Sequence, residues 1–210
     1  MKKAILYGDY TNYLYHPLKG VDEQLKSIFT EHLDINSTED LNVFNSNTLN
    51  KTDLLIFYKD VLNDTVKANH AAAVLSYVSN GGKLIILHNG ISFFDGFEFF
   101  YMAGGKFDHH PEIRDLTFNA KGNHPITEGV GAFTIFEEPY RYEFTSHTPK
   151  NIFLEYEMDG QKYPAGWTVD YCLGKIVYLL PGHTADIFKN ENYRQIILNS
   201  YKWLFDTEYN

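Results

Sequence analysis

The sequence predicts an α/β fold built on a mainly parallel sheet, with some antiparallel strands in its second half. Two observations carry this. Uninterrupted apolar runs, above all Leu84-Ile85-Ile86-Leu87, show no apolar/polar alternation, as expected of strands covered on both faces. Between the first such runs lie segments with helical spacing, so that strand, helix, strand, helix, strand follow in order. Right-handed crossovers onto a parallel sheet are then the economical arrangement. With 210 residues and no marked linker, residues 1–210 are read as one domain.

In order, Ala4–Tyr7 is the first strand, closing in Gly8-Asp9, and the Tyr-, His- and Pro-rich segment Tyr10–Lys19 is a long loop. From Val21, the positions Leu25, Ile28, Phe29 and Leu33 recur at helical spacing and give the first crossover helix. Leu33–Ile35 is a weak second strand. Asn36–Asp53 is dense in Asn, Ser, Thr and Asp, which favour turns and caps. Leu54–Tyr58 is a buried-type strand, followed by a helix over Val66–Val78 with Asn63 or Asp64 as its cap, stopping at Gly81-Gly82. Lys83–Leu87 follows at once. Phe93–Met102 is a helix or packed loop ending in Gly104-Gly105, and its aromatics would suit a homo-oligomer interface if exposed. Short alternating runs at Leu116 and Phe118, at Phe133–Phe136 and at Ile152–Tyr156 predict antiparallel strands, with Asp159-Gly160 as a hairpin turn. Lys175–Leu180 is again a buried-type strand, and Tyr193–Leu204 a closing helix that takes Trp203 into the core.

Composition narrows the partners. A net charge of −9 and the lack of a basic stripe disfavour nucleic acid and membrane surfaces, leaving small neutral or cationic ligands. The single cysteine, Cys172, cannot form an internal disulfide, and no signal peptide or bilayer-length apolar run is present, so a cytoplasmic setting is expected.

Two buried-type strands far apart in sequence each end in a histidine beside glycine: Leu87-His88-Asn89-Gly90 and Pro181-Gly182-His183. In one parallel sheet both imidazoles emerge at the carboxyl edge, where ligands bind. Either alone reads as a ring bonded to a loop carbonyl; the pair points to function. Glu137-Glu138-Pro139-Tyr140 offers a carboxylate as base, metal ligand or hydroxyl acceptor, and strand alternation allows only one of the two acids into the site. His16 lies in a loop at another strand's carboxyl end. His109-His110-Pro111 and His124-Pro125 add loop imidazoles whose spacing matches no strong zinc signature. Trp167, ahead of the last strand, presents an indole that could stack on a sugar or simply pack. The Gly-x-Ser-x-Gly elbow and glycine-rich phosphate loops are missing, and Cys172 has no base nearby in sequence.

Taken together, Gly81-Gly82-Lys83 to His88, Gly104-Gly105-Lys106-Phe107, His110-Pro111, His124-Pro125-Ile126, Glu137-Glu138-Pro139-Tyr140, Pro164 with Trp167, and Gly174-Lys175 to Gly182-His183 resemble the ThuA-like proteins. That family is named for trehalose utilisation and has a fold related to class I glutamine amidotransferases. The resemblance implies a flavodoxin-like three-layer sandwich, with helices on both faces of the sheet and His88-Asn89 standing where the amidotransferase nucleophile would be. It implies a pocket lined by His88, Glu138, Tyr140 and His183, with His110 and His16. This sequence departs from the family in Asn89-Gly90 after the strand histidine, in Glu137 for the usual Asp, and in Pro139.

The expected function is chemistry on a sugar or keto-sugar. His88, Glu138 and His183 are the expected catalytic residues, serving as acid-base groups or as ligands of a divalent metal such as zinc or manganese. Tyr140, Trp167, His110, His16 and Asn89 are the expected substrate contacts. The alternative is a non-catalytic sugar-binding or regulatory domain that has lost the nucleophile. A glutamine amidotransferase or cysteine hydrolase is set aside for want of a placed thiol.

Overall fold

The apolar runs form the strands that the periodicity predicts. The computed structural model describes residues 1–11, 13–59 and 66–206. The first half contains β1 (Lys2–Gly8), α1 (Val21–Ile28), β2 (Leu33–Thr38), α2 (Ser46–Leu49), β3 (Leu54–Tyr58), α3 (Ala68–Ser79) and β4 (Lys83–Leu87). Then come α4 (Phe97–Ala103), β5 (Gly105–His109), β6 (Arg114–Ala120), β7 (Phe133–Glu137), β8 (Arg141–Phe144), β9 (Asn151–Met158), β10 (Gln161–Tyr171), β11 (Gly174–Leu179) and α5 (Glu191–Phe205). Among the described residues, nine strands make one sheet in the order β2-β1-β3-β4-β11-β10-β9-β6-β7, and β5 pairs with β8 in a separate two-stranded sheet.

The sheet changes character at β11. From β2 to β11 every pair is parallel, and from β11 to β7 every pair is antiparallel. The parallel half runs in the order 2-1-3-4-5 of a doubly wound sheet, counting β11 as the fifth strand. Its registers pair Phe57 with Ile86 and Leu87 with Leu179, so the carboxyl ends of β3, β4 and β11 lie side by side. Leu84, Ile85, Ile86 and Leu87 are at most 1% exposed, each contributing roughly 1.5–3 kcal/mol by burial. That apolar anchor fixes where His88 emerges.

Several boundaries differ from the sequence expectation, each for a local reason. α1 ends at Ile28, and Leu33, expected in the helix as well as the strand, opens β2, which continues through Asn36, Ser37 and Thr38. An edge strand takes its hydrogen bonds from β1 alone and tolerates polar residues that a central strand would not. α3 begins at Ala68 rather than Val66, with the His70 ring accepting from the Lys67 N–H; Asn63 and Asp64, expected to cap it, lie outside the described residues. Within Phe93–Met102 the helix starts only at Phe97, and Phe93 and Phe99 are buried while Phe97 and Tyr101 are exposed. Asp159 and Gly160 both have positive φ, 54° and 74°, making the expected tight turn between β9 and β10.

Candidate metal centre

The centre forms where four chain segments meet at the carboxyl edge of the parallel strands. His88 is the first residue past β4, and its φ of 47° turns the chain sharply into a short 3-10 segment, His88–Ser92. The ring is fully buried, and its Nδ1 lies 2.8 Å from the Leu180 carbonyl oxygen. A carbonyl only accepts, so Nδ1 carries the proton and the lone pair of the neutral ring sits on Nε2. The chain approaches closely here: a Cβ on Gly182 would lie 2.5 Å from the His88 Cβ, so glycine is needed at 182.

Nε2 of His88 faces the rest of the cluster. It lies 3.0 Å from Glu138 Oε2 and 3.2 Å from His16 Nε2. His16 Nε2 is in turn 3.5 Å from Glu138 Oε2 and 3.3 Å from His183 Nδ1, and His183 Nδ1 is 3.3 Å from Glu138 Oε1. Ligand atoms from all four side chains fall within 4.8 Å of one another. Donors held about 2.0–2.1 Å from one ion in tetrahedral geometry are separated by ~3.4 Å, close to these spacings. The Glu138 carboxyl is pushed up by burial, but the neighbouring His16, His183 and His88 rings outweigh this and hold it well below the usual carboxylate range. Three imidazoles and one carboxylate thus converge where a cation would satisfy all of them, and this donor set fits zinc or manganese.

Each contributing segment is fixed locally. The loop carrying His16 is tied back by Leu18 N–H donating to Asp9 O at 2.7 Å and by the Asp9–Pro17 bridge, while Asp9 pairs with the buried Lys59 ammonium. Glu138 follows β7, the far edge of the large sheet. It is brought back because Arg141–Phe144 pairs with β5, which contacts the 3-10 segment after β4. Tyr140 stacks on His88, with ring centroids 4.4 Å apart and an interplanar angle of 26°, and is also stacked with His110 at 5.7 Å. His110 Nε2 is 3.6 Å from Glu138 Oε1, at the half-exposed rim of the cluster. His183 is the most open of the four, with 23% of its side chain exposed.

Other sequence candidates fall elsewhere or change role. Trp167, expected to stack on a sugar, is an internal residue of β10 with no exposed surface. Its indole donates to Ala103 O at 2.8 Å and packs on Tyr142, Phe144 and Tyr178, so it offers no face to a ligand. Of the two adjacent acids only Glu138 joins the cluster, as expected, although β7 ends at Glu137 and strand alternation does not extend to Glu138. Glu137 is fully buried beneath the cluster, a residue the strand pattern hid. Asn89 is buried beside His88, and its side-chain oxygen has no partner among the described residues. His109 is exposed and pairs with Asp108, while His124 caps the 3-10 segment Pro125–Thr127 and stacks on Phe153. Cys172 is exposed in the turn between β10 and β11, at the opposite edge of the sheet from His88.

Residues 4–204 match the family model of ThuA, described as trehalose utilisation. The chain belongs to the ThuA family. That description places this ThuA-family protein in carbohydrate metabolism. Among solved structures it is similar to a ThuA-like protein from Bacteroides uniformis, at 17% identity and a TM-score of 0.79, over 100% of this chain and 94% of that one. A ThuA-like protein from Parabacteroides merdae matches at 16% identity and 0.78, over 97% and 89% of the two chains. A cytoplasmic protein from Salmonella typhimurium matches at 13% identity and 0.69, over 96% and 99%. At these identities the likeness is one of fold. No curated protein matches the sequence. No helix among the described residues is long and apolar enough to cross a membrane.

Proposed function

We propose that this ThuA-family protein is an enzyme acting on a sugar or keto-sugar through one divalent metal ion held by His16, His88, Glu138 and His183. The supporting observation is the convergence of these four side chains, whose ligand atoms lie within 4.8 Å of one another. With Nδ1 turned to Leu180 O, the neutral His88 ring presents its Nε2 lone pair toward a Glu138 oxygen 3.0 Å away, an arrangement that a bound cation would satisfy. A bound ion would polarise a carbonyl or hydroxyl oxygen of the substrate. The protein's own part is to orient that oxygen and move protons. His110, at the rim and 3.6 Å from Glu138, suits proton exchange with substrate, and the Tyr140 ring stacks with both His88 and His110. The family description supports the sugar reading. Contacts of α1 with α5, and of α3 with α2 and α4, support a flavodoxin-like three-layer arrangement around the sheet. The single cysteine supports a cytoplasmic setting.

Chelator-stripped protein titrated with zinc or manganese in a calorimeter tests the proposal. One equivalent should bind, and His88→Ala or Glu138→Ala should weaken binding at least ~100-fold, since each removes a direct ligand. Turnover of a keto-disaccharide should then depend on the added metal. Absence of stoichiometric binding by the wild-type protein would sink the metal reading, whereas metal binding without turnover of any sugar would favour a binding or regulatory domain.

A further inference from the structure

Glu137 closes β7, has no exposed surface, and spends both carboxylate oxygens on backbone N–H groups. Oε2 accepts from Gly182 N at 2.6 Å and from His183 N at 3.2 Å, while Oε1 accepts from Glu138 N at 2.7 Å. The two segments it joins are 45 residues apart and carry two of the four converging side chains. A third, His88, is coupled to the same bracket, because its Nδ1 bonds Leu180 O and its Cβ packs against Gly182. The rest of the Leu180–His183 loop is fastened in the same way: Tyr193 OH donates to Pro181 O and Tyr58 OH donates to Gly182 O. Glu137 thus ties Glu138 and His183 together through their main chains.

We propose that Glu137 is the positioning residue of the metal centre, holding Glu138 and His183 at coordinating distance from His88 before any ion arrives. This rests on the metal reading above. Outer groups that orient ligands are part of how a metal site works, and their loss typically costs about 10- to 100-fold in affinity. Charge supports the assignment as well. With neutral imidazoles, Glu137 and Glu138 together place two negative charges at the site, matching a divalent cation. Glu137 Oε1 also lies 3.9 Å from His88 Nδ1, so the bracket touches the third ligand directly.

The test uses the full chain carrying Glu137→Gln, whose amide has one acceptor oxygen and so cannot serve the Glu138 N–H and the Gly182/His183 pair at once. Zinc affinity should fall about 10- to 100-fold, and the visible absorption of the cobalt(II)-loaded protein, which reports coordination geometry, should change. Glu137→Asp, which keeps the charge and both acceptors on a shorter arm, should recover part of the affinity, and it supplies the readout if the Gln variant does not fold. Val78→Ala, a core truncation in α3, is the control for lost stability and should keep wild-type affinity and spectrum. Wild-type zinc affinity and an unchanged cobalt spectrum in Glu137→Gln would overturn the positioning role while leaving the metal reading intact. An equal loss in Val78→Ala would overturn it too, by tracing the effect to stability. A wild-type protein that takes up no metal would instead defeat the metal reading itself, and the positioning role with it.

Discussion

At Gly182 the backbone lies so close to His88 that there is no room for one more carbon. A Cβ there would meet the His88 Cβ at 2.5 Å. Gly182→Ala should therefore force the loop away from the imidazole, at a cost of about 1–3 kcal/mol for overpacking. Urea denaturation should show that loss, and zinc titration should show weakened binding. Trp167→Phe makes the opposite case. It leaves the buried Ala103 carbonyl without its donor, costing about 1–3 kcal/mol, yet zinc affinity should be unchanged because the indole touches no ligand. Weakened zinc binding in this variant would return Trp167 to the site. These two residues also show what single positions reveal in sequence. His88 and His183 were legible because each terminates an uninterrupted apolar run, so the strand itself states where the ring must emerge. Trp167 misled because Pro164 and Gly166 resemble a loop, whereas β10 accommodates them at register shifts beside the indole. Glu137 was hidden because alternation was carried one residue beyond the end of its strand.

Elements were readable in proportion to how far burial dictated their residue types. β3, β4 and β11 admit almost nothing but apolar side chains, and their runs declare them. β2, at the sheet edge, continues through Asn36-Ser37-Thr38 and cannot be told from a turn by composition. β5 and β8 were invisible because their pairing depends on a contact between distant segments rather than on local pattern. The β9–β10 turn was legible because Asp-Gly is the pair that accepts positive φ at both positions. Gly160 has φ of 74° with nothing near a would-be Cβ, so Gly160→Ala should cost about 1–2 kcal/mol through backbone strain alone. Thermal unfolding should register it, with metal affinity unaltered, because this turn lies on β9 and β10, outside the segments that carry the ligands.

For the molecule as a whole, the parallel half supplies three strand ends and the antiparallel half returns a fourth segment to meet them. His16 follows β1, His88 follows β4, His183 follows β11, and Glu138 comes from beyond β7. The aromatic mass around this edge has a consequence for pH. Burial pushes Tyr140, Tyr142, Tyr178 and Tyr193 well above the ordinary tyrosine value. In the unfolded chain these phenols ionise near 10, whereas in the fold they resist. Their contribution to stability is therefore constant below about pH 10 and is lost as pH rises beyond it. Tyrosinate absorbance from these four should appear together with the loss of circular dichroism, and ionisation in the still-folded protein would contradict their burial. The central claim concerns the four side chains at the strand ends. Anomalous diffraction at the zinc edge, from crystals of the zinc-loaded protein, tests it most directly. A single peak about 2.0–2.2 Å from His16 Nε2, His88 Nε2, Glu138 and His183 Nδ1 is the predicted result; zinc found only at His109, His110 or the chain surface, with the four-residue cluster empty, would contradict it.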